Sequence, residues 1–219
     1  YIHEGGNITT SYNTTGTREL NIKLTLPGEF SVYNSLCAIA VSEHFNVDDK
    51  LLLDALYNTR VAGRVEPVKV SDDFIVMIDY AHNAMSLESL LSTLREYNPN
   101  RIVCLFGCGG NRSKLRRFEM GEVSGRMADL TIITSDNPRD EDPALIMQDI
   151  ETGIKKTSGS YVMIEDRGEA VKYAIEHGEK GDIIVLAGKG HEDYQEIKGV
   201  RYHQTDKELV QKAMEDLAR

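Results

Sequence analysis

Cysteine is nearly missing from this chain, with three in 219 residues: Cys37, Cys104 and Cys108. They are too few and unsuitably spaced for a disulfide framework or a four-ligand zinc site, and three reduced thiols in a cytosolic protein are expected. No apolar run approaches the roughly 20 residues of a membrane span. The opening YIHEGGNITT is polar and lacks the apolar stretch of a secretory signal. A phosphate-binding G-x-x-x-x-G-K-[ST] motif occurs nowhere. Basic residues are outnumbered 25 to 35, for a net charge of −10. Without a basic face to displace counterions, general nucleic-acid binding is disfavoured, although a local basic patch can still take an acidic small molecule. An initiator methionine is also lacking, since the chain opens on Tyr1, and a piece of a longer protein is expected. What remains, 41% hydrophobic and 27% charged, is globular in composition. The length allows one large domain or one domain with an appendage.

Two patterns divide the chain. Residues 19–26 alternate apolar Leu20, Ile22, Leu24 and Leu26 with polar neighbours, the period of a half-buried strand, and Pro27-Gly28 stops it. From Ser31 the apolar spacing becomes helical up to Asn46, and residues 51–58 read as a second helix. Val61-Ala62-Gly63-Arg64 looks like a hinge. Beyond it, apolar runs at 74–79, 101–106, 130–134, 161–164 and 182–187 alternate with helical stretches at 84–97, 114–127, 143–156, 167–178 and 206–218. Continuous apolar strands with helical crossovers predict an α/β fold with a mostly parallel sheet covered by helices on both faces. Ligands of such sheets gather at the loops beyond the carboxyl ends of the strands.

Four of those loops carry chemistry. Asp79-Tyr80-Ala81-His82-Asn83 offers a carboxylate and an imidazole that could bind ribose hydroxyls, or a cap for the next helix. Gly107-Cys108-Gly109-Gly110-Asn111-Arg112 half-matches a dinucleotide fingerprint, with Arg112 in the third glycine position. Its glycines would let backbone approach a ligand, and Arg112, Lys114, Arg116 and Arg117 follow as a basic cluster that suggests an anion. Ser135-Asp136-Asn137-Pro138-Arg139 holds an arginine on a proline-stiffened turn, where it can grip a carboxylate through two parallel bonds. Gly188-Lys189-Gly190-His191-Glu192 places both charge signs in one turn, with Glu192 suited to a substrate ammonium.

Taken together, VAGRVE, DYAHN, FGCGGNR, TSDNPR with EDP, and LAGKGHEDYQ resemble the C-terminal domain of the Mur ligases. The upstream LPGEFSVYNSLCAIAV is similar to the end of that family's central ATPase domain. The resemblance implies a Rossmann-like domain at 63–219, preceded at 1–62 by a strand-plus-helices remnant of the central domain. It implies an ATP-dependent ligase of peptidoglycan synthesis in the bacterial cytoplasm, using magnesium. Such an enzyme phosphorylates the terminal carboxylate of UDP-MurNAc-L-Ala-D-Glu, and the amine of the incoming amino acid displaces the phosphate.

Carried over by position, the resemblance puts the incoming amino acid on Arg112, Asp136, Asn137, Pro138, Arg139, Gly188 and Glu192. It puts nucleotide contacts on Asn34, Arg64 and Asp79, and leaves His82 and Lys189 as catalytic candidates without a defined role. The DNPR form of the third loop implies meso-diaminopimelate, because Arg112 and Arg139 can bind the distal carboxylate that lysine lacks, and a cation there rejects the lysine ammonium. Two departures are evident: Ser31 stands where the family commonly has asparagine, and HQTD at 203–206 replaces an aromatic-acidic run. No metal ligands are expected in this stretch, and the chain by itself is expected to be inactive without the N-terminal and central domains. The alternatives are a nicotinamide-dependent Rossmann oxidoreductase, built on the GCGGNR loop, and a non-catalytic ligand-binding module.

Overall fold

The computed structural model describes residues 2–4, 7–16 and 18–218, with side chains from Thr9 onward. It forms two compact units, Tyr1–Val61 and Ala62–Arg219.

In the first unit, β1 (Ile2–Glu4), β2 (Asn7–Asn13) and β3 (Asn21–Leu24) form an antiparallel sheet in that order, followed by α1 (Glu29–His44) and α2 (Asp49–Asn58). The alternation at 19–26 resolves as β3, whose Ile22 and Leu24 are buried with Leu20, Ile39 and Leu52 in a small core. Helix α1 begins at Glu29, directly after Gly28 and two residues before the sequence pattern places it. The Ser31 hydroxyl is buried and donates to the Pro27 carbonyl at 2.8 Å, securing that first turn. Asn46 adopts a positive φ of 51° where α1 stops, and Asp48 caps α2 by accepting from the Lys50 and Leu51 amides.

The second unit contains β4 (Glu66–Val68), β5 (Ile75–Asp79), α3 (Ala84–Arg95), β6 (Ile102–Phe106), α4 (Lys114–Met127), β7 (Leu130–Ile133), α5 (Pro143–Ile154), β8 (Tyr161–Met163), α6 (Arg167–Glu176), β9 (Ile183–Ala187), β10 (Tyr194–Ile197), β11 (Val200–His203) and α7 (Asp206–Leu217). One sheet runs β4-β5-β9-β6-β7-β8. All its pairs are parallel except the edge pair β4–β5, so this is the α/β, mostly parallel Rossmann-like sheet that the strand pattern predicts. The two faces follow from strand alternation. Val76, Ile78, Val103, Leu105, Ile132, Ile184 and Leu186 pack with Ala170, Val171 and Ala174 of α6 and Val210 and Ala213 of α7. Thr131 points to the opposite face, where its hydroxyl meets that of Ser124 on α4 at 2.6 Å. Each fully buried aliphatic side chain contributes about 1.5–3 kcal/mol.

Two details position the site. β9, the last parallel strand in sequence, lies between β5 and β6, so the loops after β5, β9, β6 and β7 stand side by side. Gly63, read from the sequence as part of a hinge, is a point of close approach within the second unit: its φ is 67°, and a Cβ there would lie 2.2 Å from the His191 amide nitrogen. Glycine is required at this position because the 63–65 turn packs onto the β9 loop.

Candidate functional site

The loop after β5 begins with buried Asp79. Its carboxylate accepts from the Val65 and Ala81 amides, each at 2.8 Å. Burial pushes the Asp79 carboxyl up, and those amides and the nearby Arg64 pull against the shift. Asp79 therefore orders the 63–65 turn, while the cap of α3 is Asn83, in a reciprocal capping box with Ser86. The Arg64 guanidinium lies 4.9 Å from the Tyr80 ring centre. The exposed His82 ring holds the Tyr80 carbonyl through Nδ1 at 2.8 Å.

One of the glycines after β6 serves a purpose the sequence does not suggest. A Cβ on Gly110 would sit 1.9 Å from the Pro138 carbonyl oxygen, and the Gly110 amide donates to the Asn137 carbonyl at 2.9 Å. Smallness at Gly110 lets two strand-end loops pack on one another, while Gly107 and Gly109 line the cleft. The basic cluster that follows also divides. Arg117 is buried and bonded to Glu141 at 2.7 Å and Asp149 at 2.9 Å, which makes it structural. Arg112 and Arg116 line the cleft.

The loops after β7 and β9 are tied together. Asn137 donates through Nδ2 to Glu192 at 2.8 Å and accepts the Glu196 amide on Oδ1 at 2.9 Å. Gln195 donates to the Asp136 carbonyl at 2.9 Å. Arg139 has a positive φ of 52°. Its guanidinium donates to the Gly110 carbonyl at 2.8 Å and lies 3.4 Å from Glu196, so packing already sets its direction. The Gly188 amide donates to the Asp79 carbonyl at 3.1 Å, linking the β9 and β5 ends. Lys189 is 1% exposed, and its ammonium contacts the Tyr194 carbonyl and Asn137 Oδ1.

These loops enclose a cleft of about 270 Å³ whose lining includes His82, Arg112, Asp136, Asn137, Arg139, Gly188 and Glu192. Pro138 lines a second hollow of about 610 Å³, which Arg139 also borders. Asn34 is exposed on α1 of the first unit. The cleft therefore presents the guanidinium groups of Arg112, Arg116 and Arg139 opposite two carboxylates and an amide, the complement of a zwitterion carrying an extra carboxylate. Arg116 belongs to the basic cluster read in the sequence as suited to an anion, whereas Arg167 and Asp206 were not singled out as site residues; their signal is position alone, at the first turns of α6 and α7. Among the described residues, no three His, Cys, Asp or Glu side chains gather as a metal-holding group.

Residues 63–190 match the family model described as Mur ligase, glutamate ligase domain. The UDP-N-acetylmuramoyl-L-alanyl-D-glutamate--2,6-diaminopimelate ligase of Caldanaerobacter subterraneus subsp. tengcongensis is 49% identical over 176 residues, covering 80% of this chain and 36% of that protein. The ligase of the same name from Aquifex aeolicus is 42% identical over 198 residues, 90% of this chain and 40% of that one. A solved structure of a UDP-N-acetylmuramoyl-L-alanyl-D-glutamate--2,6-diaminopimelate ligase matches with a TM-score of 0.71 at 34% identity, over 95% of this chain and 43% of its own. The chain spans about two fifths of the length of these relatives.

Proposed function

The chain belongs to the Mur ligase family, and from that premise we propose that it is the amino-acid-binding part of a cytoplasmic, ATP-dependent ligase that joins meso-diaminopimelate to UDP-MurNAc-L-Ala-D-Glu in peptidoglycan synthesis. In this reading residues 63–219 form the family's C-terminal domain. Residues 1–62 are the tail of its central domain, and further domains supply the uridine-nucleotide and phosphate sites.

The observation that carries the reading is the charge layout of the cleft, with Arg112 and Arg139 beside Asp136, Asn137 and Glu192. Arg112 and Arg139 take the distal carboxylate of diaminopimelate. Asp136, Asn137 and Glu192 take the ammonium beside it, and the Gly188 backbone and the Pro138 turn fix the depth of the pocket. Arg139 is held by Gly110 and Glu196 before any ligand arrives, so little side-chain freedom is lost on binding. Holding the distal end in this way leaves the other amine directed out of the cleft, as attack on an acyl phosphate requires. In the second unit Arg64 and Asp79 contribute nucleotide contacts, Asp79 by ordering the turn that carries Arg64, and in the first unit Asn34 is proposed as a nucleotide contact on α1. His82 is at the cleft margin, where it can contact the reacting groups. Magnesium, when bound with ATP, neutralises phosphate charge; its ligands belong to the domains outside this stretch.

The test is an NMR titration of the 219-residue chain with meso-diaminopimelate and with L-lysine. The expected result is at least tenfold tighter binding of meso-diaminopimelate, with shifts centred on Arg112, residues 136–139 and residues 188–192. Equal affinity for the two, or shifts elsewhere, would remove the assignment.

A further inference from the structure

Beneath the cleft lie charges that the reading above does not use. Arg167, at the start of α6, donates to both oxygens of Asp206, at the start of α7, at 2.6 and 2.7 Å. Both side chains are completely buried. The same guanidinium reaches the Ala187 carbonyl at the end of β9 at 3.4 Å. Buried Asp136 feels the charges of both Arg167 and Lys189, and a Cβ on Gly188, the residue after Ala187, would lie 3.1 Å from its Oδ2. The Lys189 ammonium lies 3.7 Å from Glu192, whose side chain opens to the cleft. Two ion pairs, Asp206–Arg167 and Glu192–Lys189, thus stand with Asp136 under the influence of both cations, so the charges alternate in sign.

Burying charges costs several kcal/mol per ion unless each is compensated. Alternation provides that compensation, but not completely: three carboxyl groups stand against two cations, and burial pushes the Asp136 carboxyl up against the pull of Lys189 and Arg167. The excess carboxyl is not stranded in the interior, since the row ends at Glu192 on the cleft wall. Lys189 and Glu192 both hold Asn137, through Oδ1 and Nδ2 respectively, so the row also fixes the orientation of that amide. A cation arriving in the cleft against Glu192 would complete the alternation and meet an acceptor already in place.

We propose that Asp206, Arg167 and Lys189 are positioning residues, a buried row of alternating charge that orients Asn137 and Glu192 and is completed by the substrate's ammonium group. This rests on the reading of the cleft as an amino-acid site. It gives Lys189 a role without contact to the reacting atoms: it lies behind Asn137 and Glu192, fully buried, with its ammonium on the Tyr194 carbonyl.

The experiment compares two ligands on the 219-residue chain: meso-diaminopimelate and 2-aminopimelate, which has the same length and both carboxylates but one amine. Two variants are used. Lys189→Met removes the charge and keeps the chain length, and Asp206→Asn removes the charge at the far end with little change in volume. The unmodified chain should prefer meso-diaminopimelate at least tenfold. In Lys189→Met the preference should fall below threefold, and in the ligand-free protein the Asn137 side-chain amide signals should shift and lose protection from exchange. Asp206→Asn should move both readouts the same way by less, and it decides the matter if Lys189→Met does not fold. A purely structural role lowers the unfolding midpoint and weakens both ligands equally, leaving their ratio untouched. An undiminished preference with unchanged Asn137 signals in a folded variant overturns the proposal. If the unmodified chain binds neither ligand, the functional reading has failed, and the row is judged on the Asn137 amide alone.

Discussion

The two walls of the cleft are built on opposite principles. One wall carries Arg112 and Arg116, from the β6–α4 loop and the first turn of α4, with Arg112 exposed to solvent. The other consists of the loops after β7 and β9, where Asp136, Asn137 and Lys189 are buried and interlocked. Cations of the first kind are hydrated until a ligand displaces the water, and their removal costs the fold little. Charges of the second kind have lost their water already, so each depends on its neighbours. Arg117 shows that membership is decided by packing: one residue after Arg116, it is buried between Glu141 and Asp149. A run of basic residues in a sequence is therefore not one functional unit.

The sharpest way to break this comparison is to remove one exposed charge from the first wall and one buried charge from beneath the second, and measure stability. Arg167→Ala leaves Asp206 buried and unpaired, and should cost about 3–5 kcal/mol in urea unfolding. Arg112→Ala should stay within about 0.5 kcal/mol. Replacing both buried partners together, Arg167→Met with Asp206→Leu, should recover most of the loss, since no orphaned charge remains. A loss below about 1 kcal/mol for Arg167→Ala would mean that water reaches the pair and that the walls do not differ in kind.

Next in size is the contact between the walls. Gly110→Ala brings a methyl to 1.9 Å from the Pro138 carbonyl, and the loops must separate. Overpacking of this sort costs about 1–3 kcal/mol. Because Arg139 bonds the Gly110 carbonyl, affinity for meso-diaminopimelate should fall along with stability. Arg112→Ala separates the two effects: affinity for meso-diaminopimelate should fall about tenfold, or about 1.4 kcal/mol, with the unfolding midpoint unchanged. L-lysine, which has no distal carboxylate, should be affected less. An equal loss for both ligands would place Arg112 on the carboxylate that they share.

How much of this was legible depended on what each residue had to satisfy. β5, β6, β7 and β9 are buried on both faces and so appear as apolar runs. β4 escaped notice because it is three residues long with Pro67 at its centre, tolerable only because it is an edge strand. The β10–β11 hairpin escaped because neither strand is buried, so no alternation marks it. The site loops were legible as loops, since strand ends in such a sheet are where polar residues collect. The reason for Gly110 was not, because the carbonyl facing it lies in another loop, 28 residues on. Arg167 and Asp206 were invisible for a related reason. At the first turn of a helix each passes for an ordinary polar residue, and only the approach of α6 to α7 turns them into an ion pair.

The smallest expected effect probes the floor of the cleft without changing a residue. Cys108 sits in the β6 loop beneath Arg112 and Arg116, yet it is 5% exposed and its sulfur contacts that of Met120 at 3.7 Å. Burial pushes its thiol up to about 12, with the Asp136 charge adding to the shift and Arg117 and Arg116 opposing it. Cys104, in β6, is pushed up to about 12 by burial as well. A thiolate is the reactive form, and at pH 8 such a group is ionised in only about one molecule in ten thousand. Cys37 is exposed on α1. A thiol reagent at pH 8 should therefore modify one cysteine rapidly in the native chain, Cys37, and the other two only after denaturation. Because Cys108 reports on the tight packing of the glycine loop against the β7 loop, its slow labelling should become faster in Gly110→Ala, while Cys104, deeper in the strand, should not follow. Rapid labelling of Cys108 in the unmodified chain would mean that the two walls separate readily, and that the cleft is shaped by its ligand rather than before it.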